Sequence, residues 1–237
     1  MVQSQDTVLF AATQLLGQRD RQEDSFISFR DECFVVADGV GGMPHADIAS
    51  QLVSETAMWG YKHVRQRKFY WADKEKLLYR IFRSANIAVW QKHREKGFED
   101  GLASTLSVLI VGPRRIWVGS VGDSPIFLYR EGLIDMLTPL DLDNRGFLTS
   151  AMGIKRFGLA PHVARESFLA GDMVLLATDG VTSFVDEEEM RAVFETAGTT
   201  QQSIMDAVVH LLQVAGEHGS TDNMTACLVK RLGHETM

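Results

Sequence analysis

The sequence predicts an α+β domain in which antiparallel sheets are covered by helices. Three observations lead there. Apolar runs of five to nine residues follow one another too closely for parallel pairing, which needs crossovers of about a dozen residues or more. Segments with helical spacing come in pairs rather than alternating with single strands. No Pro- or Ser-rich linker divides the 237 residues, so a single domain over 1–237 is expected.

The strand runs come in order. "TVLFAATQL" at 7–15 opens the chain and "CFVVA" at 33–37 follows. "TLSVLIV" at 105–111 and "RIWVGSV" at 115–121 flank "GPR", a hairpin signal. "IFLYR" at 126–130 abuts "GLIDML" at 132–137, a second hairpin. "MVLLAT" at 173–178 and "MTACLVK" at 224–230 complete the set. Four segments have helical periodicity. From Asp47 onward, Ile48, Leu52, Val53 and Trp59 form one stripe. Within 73–96, Leu77, Ile81, Ala85 and Ala88 form another. A helix starting at Asp186 has a favourable cap and acids in its first turn, where the helix dipole stabilises them. Ile204, Val208, Leu211 and Ala215 mark the last, within 201–218. Segment 138–164 has turn residues and little periodicity, and is expected to be a long surface loop.

Composition narrows the function. Hydrophobic residues make up 45% of the chain and charged residues 23%, an ordinary globular balance. A formal charge of -7 argues against sequence-blind nucleic-acid binding and against docking on anionic lipid. Cys33 and Cys227 each lie in an apolar run and read as buried free thiols, not as a disulfide or zinc site. The start "MVQSQDTVLFAATQ" lacks a secretion signal, and no run reaches the roughly 20 apolar residues that span a bilayer, so a cytoplasmic location is expected.

Carboxylates recur at strand ends. Asp38 follows "FVVA" and precedes Gly39; Asp179 follows "VLLAT" and precedes Gly180; Asp123 follows "IWVGSVG". Asp222 sits just before the last strand, and "RDRQEDSF" supplies Glu23 and Asp24. One Asp-Gly pair is most simply a turn. Several acids converging without matching cations would repel one another and lose hydration, and a cation relieves both. Oxygen-only donors suit hard ions such as Mg²⁺ or Mn²⁺. A bare backbone at Gly39 would let a carbonyl approach an ion. Two ions about 3.5–4 Å apart can hold a bridging hydroxide and polarise a phosphate. Arg19 and Arg21 lie beside the first acids, and a guanidinium can hold phosphate in a bidentate fork, although either could be a plain surface charge.

These residues resemble the metal-dependent protein phosphatases, the type 2C serine/threonine phosphatases, in their compact bacterial form. "GQRDRQEDSF", "VVADGVGG", "GLASTLSVLIV", "VGDSPIFLYR", "GDMVLLATDGVTSFVDEEE" and "GSTDNMT" are similar, in order, to six motifs of that family. The resemblance implies a four-layer αββα sandwich with a two-metal centre at one edge. By position, Asp38 would bridge two Mn²⁺ or Mg²⁺ ions. Glu23 and the Gly39 carbonyl would complete one side, with Asp179 and Asp222 on the other. Asp123 would contribute, with Asp179, to a weaker third-metal site. Arg19 would hold the substrate phosphate. Asp24 and Asn223 would be supporting residues, Asn223 orienting Asp222. The implied reaction is hydrolysis of phosphoserine and phosphothreonine in proteins by a hydroxide bridging the ions, without a phosphoenzyme. The implied substrates are targets of a serine/threonine kinase, and 138–164 would be the flap beside the site.

There are departures from the pattern. Gln22 stands in place of Asn, and Val40 and Met43 stand where many members carry histidines. Ala46 and Asp47 replace a Gly-Glu pair. The leaving-group proton donor is therefore open: His45 is near in sequence, but an exposed loop histidine is its plainer reading, and His162 reads as structural or exposed. Neither cysteine leads into a phosphate-cradling loop, so cysteine-phosphatase chemistry does not fit. No GxxxxGK[ST] loop is present. A catalytically dead phosphoprotein binder and a hydrolase of small phosphate esters are the rival readings.

Overall fold

The computed structural model describes residues 7–66 and 73–233. The first six residues, part of the stretch read for a secretion signal, lie outside that range. Ten strands and five helices run in the order β1 (Val8–Leu15), β2 (Asp24–Phe29), β3 (Cys33–Asp38), α1 (Ala46–Arg65), α2 (Lys74–Lys92), β4 (Leu106–Val111), β5 (Arg115–Val121), β6 (Ile126–Arg130), β7 (Leu133–Met136), β8 (His162–Ser167), β9 (Met173–Ala177), α3 (Asp179–Thr182), α4 (Glu187–Thr196), α5 (Gln201–Glu217) and β10 (Met224–Arg231).

The strands form two five-stranded sheets, ordered β1-β10-β9-β6-β7 and β2-β3-β4-β5-β8. Every pairing is antiparallel, including the two expected hairpins, β4–β5 and β6–β7. The period-two alternation of side chains assigns the layers. In β3, Cys33, Val35 and Ala37 pack under α1 and α2, while Phe34 and Val36 face the other sheet. In β9, Met173, Leu175 and Ala177 pack under α4 and α5, while Val174 and Leu176 meet Phe34 and Val36 between the sheets. Three apolar layers separate four layers of secondary structure, which is the αββα sandwich. The same geometry explains why central strands such as β3, β4 and β9 are mainly apolar runs: both of their faces are buried.

Several expectations need correction. Two strands were not read from the sequence: β2 and β8, the two edges of one sheet. The loop expected over 138–164 ends at Pro161, because His162 already pairs with Ser120 of β5. Trp59 is not a core residue; it is 64% exposed and stacks on His63. Asp179 begins the four-residue helix α3. Cys33 and Cys227 are buried and free. Among the described residues, no helix is long and apolar enough to cross a membrane.

Candidate active site

The acids meet at one end of both sheets. Asp38 is the last residue of β3 and Asp24 the first of β2, and the antiparallel register sets them opposite each other. Like charges directly opposite in a ladder repel, so this pair already marks the place as unusual. Asp179 follows β9, Asp222 precedes β10 and Asp123 follows β5. A cavity of about 130 Å³ is lined by Glu23, Asp38, Asp123, Asp179 and Asp222, with Arg19 the sole cation among the described residues of its wall.

Backbone and side-chain bonds hold each acid in place. The Asp38 amide donates to Thr105 Oγ1 (2.9 Å), and the Asp38 carbonyl accepts from the Thr105 amide (2.7 Å) and Ser104 Oγ (2.8 Å). Thr105 Oγ1 in turn pairs with Ser124 Oγ at 2.8 Å, next to Asp123. Asp24 joins the two sheets: its Oδ2 accepts from Thr225 Oγ1 (2.6 Å) and Thr178 Oγ1 (3.0 Å), the residues that flank Asp179 and open β10. Its Oδ1 is buried with no hydrogen-bond partner. Gln22, although it departs from Asn, accepts from the Asp24 amide at 3.0 Å and so shapes the turn into β2.

Asn223 bonds to Asp222 and to the turn before β2. Its backbone amide donates to Asp222 Oδ1 (2.7 Å), but its side chain accepts from the Glu23 amide (2.7 Å) and donates to the Leu16 carbonyl (2.8 Å). It ties the β1–β2 turn to the start of β10, and so sets where Glu23 points. Two glycines sit where a side chain cannot. A Cβ on Gly39 would lie 2.3 Å from the Ala46 carbonyl oxygen, and one on Gly180 would lie 2.1 Å from that of Asn223. The bare backbone at Gly39 thus lets α1 start directly against the strand end.

The electrostatics are those of charges crowded out of water. Burial, then the charges of Asp24, Asp179 and Asp123, hold the Asp38 carboxyl well above the usual carboxylate range. Burial lifts Asp24 to about 6 despite the bonds from Thr225 and Thr178. Burial and the charge of Asp179 lift Asp123 to about 6. Asp179 and Glu23 are also raised, mainly by burial. Arg19 donates to Asp222 Oδ2 at 2.6 Å, and that bond strengthens its hold on the proton.

Arg21 is exposed and does not line the cavity. His45 packs on the Phe98 ring, 4.8 Å between centroids, and is absent from the cavity wall. His162 pairs with Asp141 at 2.8 Å, and Asp141 accepts from the Gly122 amide at 2.9 Å. Thr105, Ser124, Thr178 and Thr225 were not singled out from the sequence. Ser124 and Thr178 adjoin strand-end acids in the sequence; Thr105 and Thr225 do not.

The family model described as protein phosphatase 2C matches residues 18–213. The chain belongs to the protein phosphatase 2C family. It is 24% identical over 216 residues to a serine/threonine phosphatase, stp, of Listeria monocytogenes, covering 83% of each chain. Its fold matches that of the serine/threonine phosphatase PstP/Ppp of Mycobacterium tuberculosis with a TM-score of 0.78, at 22% identity, covering 96% of this chain and 99% of the other. A TM-score of 0.78 also relates it to the catalytic domain of PstP in complex with two manganese ions, at 23% identity, covering 95% and 99%.

The donor set fits such ions. Five carboxylates line the wall with one guanidinium, burial disfavours the charged form of Asp38 and Asp123 among them and of Asp24 beside them, and Gly39 lies on the same wall. Hard divalent cations are the partners that oxygen-only sites of this charge select. Among the described residues, no three acidic, histidine or cysteine side chains close around a single point as ligands of one ion would. The carboxylates instead line the wall, and Asp222 is turned onto Arg19. Mutual repulsion favours that spread, and a cation would favour drawing them in.

Proposed function

We propose that this chain is a Mn²⁺- or Mg²⁺-dependent phosphatase that hydrolyses phosphoserine and phosphothreonine in proteins. The observation that carries the reading is the buried Asp38, set opposite Asp24 and facing Asp179 and Asp123 in a cavity whose only described cation is Arg19. Glu23, Asp38, Asp179, Asp222 and the Gly39 carbonyl would hold two ions, and Asp123 with Asp179 a weaker third. When bound, the ions supply an activated water as nucleophile and polarise the phosphoryl group.

The chain's own residues do the rest. Arg19 is 42% exposed at its side chain and rests on Asp222 across the mouth of the cavity. A phosphate dianion competes for the guanidinium through two parallel N–H bonds, which orients the phosphorus toward the acids. Thr105 and Ser104 fix the backbone of Asp38, so the strand end that carries its carboxyl is held in place. Asp24 holds together the two strands that deliver Asp38 and Asp179. The cavity wall holds no histidine among the described residues, so the leaving oxygen takes its proton from water rather than from an imidazole. Attack by water in one step leaves no phosphoenzyme. The substrates are proteins marked by a serine/threonine kinase, met in the cytoplasm.

A thermal-shift titration with Mn²⁺ tests the site. Wild type is expected to gain stability with added ion as binding to the folded state predicts, and Asp38→Asn to gain none. Equal shifts in both would remove Asp38 from the metal centre, and a radiolabelled phosphate covalently trapped on the chain would overturn the one-step reaction.

A further inference from the structure

A second cavity, of about 280 Å³, opens beside the first and shares Val40 and Leu148 with it. Met43, Ala151, Ile154 and Leu159 make the rest of its wall mainly apolar, and Lys155 stands at it as a cation. We infer that this cavity is a specificity subsite that receives an apolar side chain of the substrate next to the phosphorylated residue. The inference rests on the phosphatase reading above and deepens it.

The cavity is held open by buried polar bonds. Asn86 of α2, 2% exposed, donates to the carbonyls of Lys155 (2.7 Å) and Arg156 (3.3 Å) and accepts from the Gly153 amide (2.8 Å). Gly153 has φ +91°, and a Cβ there would lie 2.4 Å from Val89 Cγ1, so this turn has one shape. One step earlier, Met152 exchanges backbone bonds with Ser104, whose hydroxyl holds the Asp38 carbonyl. The subsite wall and the strand end bearing Asp38 are therefore fixed to the same residue. A substrate whose phosphate lies against Asp38 has its neighbouring residue over Val40 and Leu148.

The rim also has the character of a recognition surface. Ile154 is 50% exposed and Phe157 61%, the Arg156 guanidinium lying over the Phe157 ring. Large exposed apolar groups around a site mark contact with a partner. The nearby cations point to an anionic one. Lys155 and Arg156 are exposed in a chain of net charge -7, and Arg156 lies over the Trp90 and Phe157 rings. An anionic phosphopeptide with an apolar residue beside its phosphate matches both features.

Two phosphothreonine peptides that differ only in the flanking residues, leucine or serine, test this beside capped phosphothreonine with Mn²⁺. The expected result is a kcat/KM for the leucine peptide roughly tenfold or more above that for the serine peptide, the selectivity one apolar pocket supplies. Ile154→Asp should bring that ratio close to one, and Ile154→Ser should reduce it partway. Each ratio is taken within one variant, so a general loss of activity cancels. A wild-type ratio near one, or a ratio that survives both variants, would overturn the subsite while capped phosphothreonine is still hydrolysed. No hydrolysis of any of the three would instead overturn the phosphatase reading. A wild-type dimer in sedimentation that dissociates in Ile154→Asp would give the cavity to a second copy of the chain and overturn the peptide assignment.

Discussion

Replacing Asp24 by Asn should make the metal-free protein more stable at neutral pH, against the usual direction for a buried, hydrogen-bonded acid. Asp24 is raised from 3.8 to about 6, with burial the largest cause and Asp179's charge adding to it. A carboxyl whose folded value lies above its unfolded value contributes stability that is fully present below the unfolded value. That stability is lost as pH rises through the folded one. The window here runs from about 4 to about 6. At 1.36 kcal/mol per unit, holding Asp24 ionised in the fold costs about 3 kcal/mol above pH 6. Asn keeps the shape and an acceptor for Thr225 and Thr178 without the charge. Loss of the charge-assisted part of those two bonds offsets some of this gain, leaving about 1–2 kcal/mol in favour of Asn at pH 7.5. The assay is urea unfolding of both proteins in EDTA at pH 7.5, 6 and 5. The advantage should shrink by about 1 kcal/mol between pH 7.5 and pH 5, because wild type takes up its proton there. Saturating Mn²⁺ should remove or reverse it, since cations turn the acids' crowding into an advantage. An Asn variant less stable than wild type in EDTA at pH 7.5, with a pH-independent difference, would refute the reasoning.

Three further outcomes follow from the same geometry. Asn223→Ala removes the bonds to the Glu23 amide and the Leu16 carbonyl; Mn²⁺ affinity measured by calorimetry should fall about 10- to 100-fold, the cost of losing a group that orients ligands. Gly180→Ala places a Cβ 2.1 Å from the Asn223 carbonyl oxygen, so the α3 start or β10 must move; chemical denaturation should show a loss of about 1–3 kcal/mol, with turnover reduced as well. Arg19→Lys keeps the charge but not the fork, and steady-state kinetics should show a higher KM for phosphopeptide at nearly the same Mn²⁺ requirement.

The fold was legible where strands are buried on both faces. β9 is apolar throughout, and β3 and β4 are apolar but for Asp38 and Ser107, so the sequence marks them without periodicity. The two missed strands, β2 and β8, are sheet edges with mostly intermediate burial, and "DSFISF" and "HVARES" mix charge with apolar groups accordingly. Such strands are specified by their partners rather than by their own composition. Trp59 kept helical spacing but lies on the exposed side of α1, because a wide stripe on one helix need not all face the sheet. At the site, Asp38, Asp123 and Asp179 were legible because each follows an apolar run, while Glu23, Asp24 and Asp222 were legible only beside them, through the motifs they sit in. The groups that position them were not: Thr178 and Thr225 meet Asp24 from 154 and 201 residues away, and Asn86 reaches Lys155 across 69. Contacts of that range have no local signature, and the Asn86 side chain sits in a helical stripe like any solvated polar residue.

The most direct test of the central claim is phosphate release from a phosphothreonine peptide by wild type and Asp179→Asn, each with Mn²⁺ and then with EDTA. The account predicts turnover by wild type with Mn²⁺, its abolition by EDTA and recovery when Mn²⁺ is restored. Asp179→Asn should be lower by at least about a hundredfold while remaining folded. Turnover that is indifferent to EDTA, or an Asn variant as active as wild type, would contradict it.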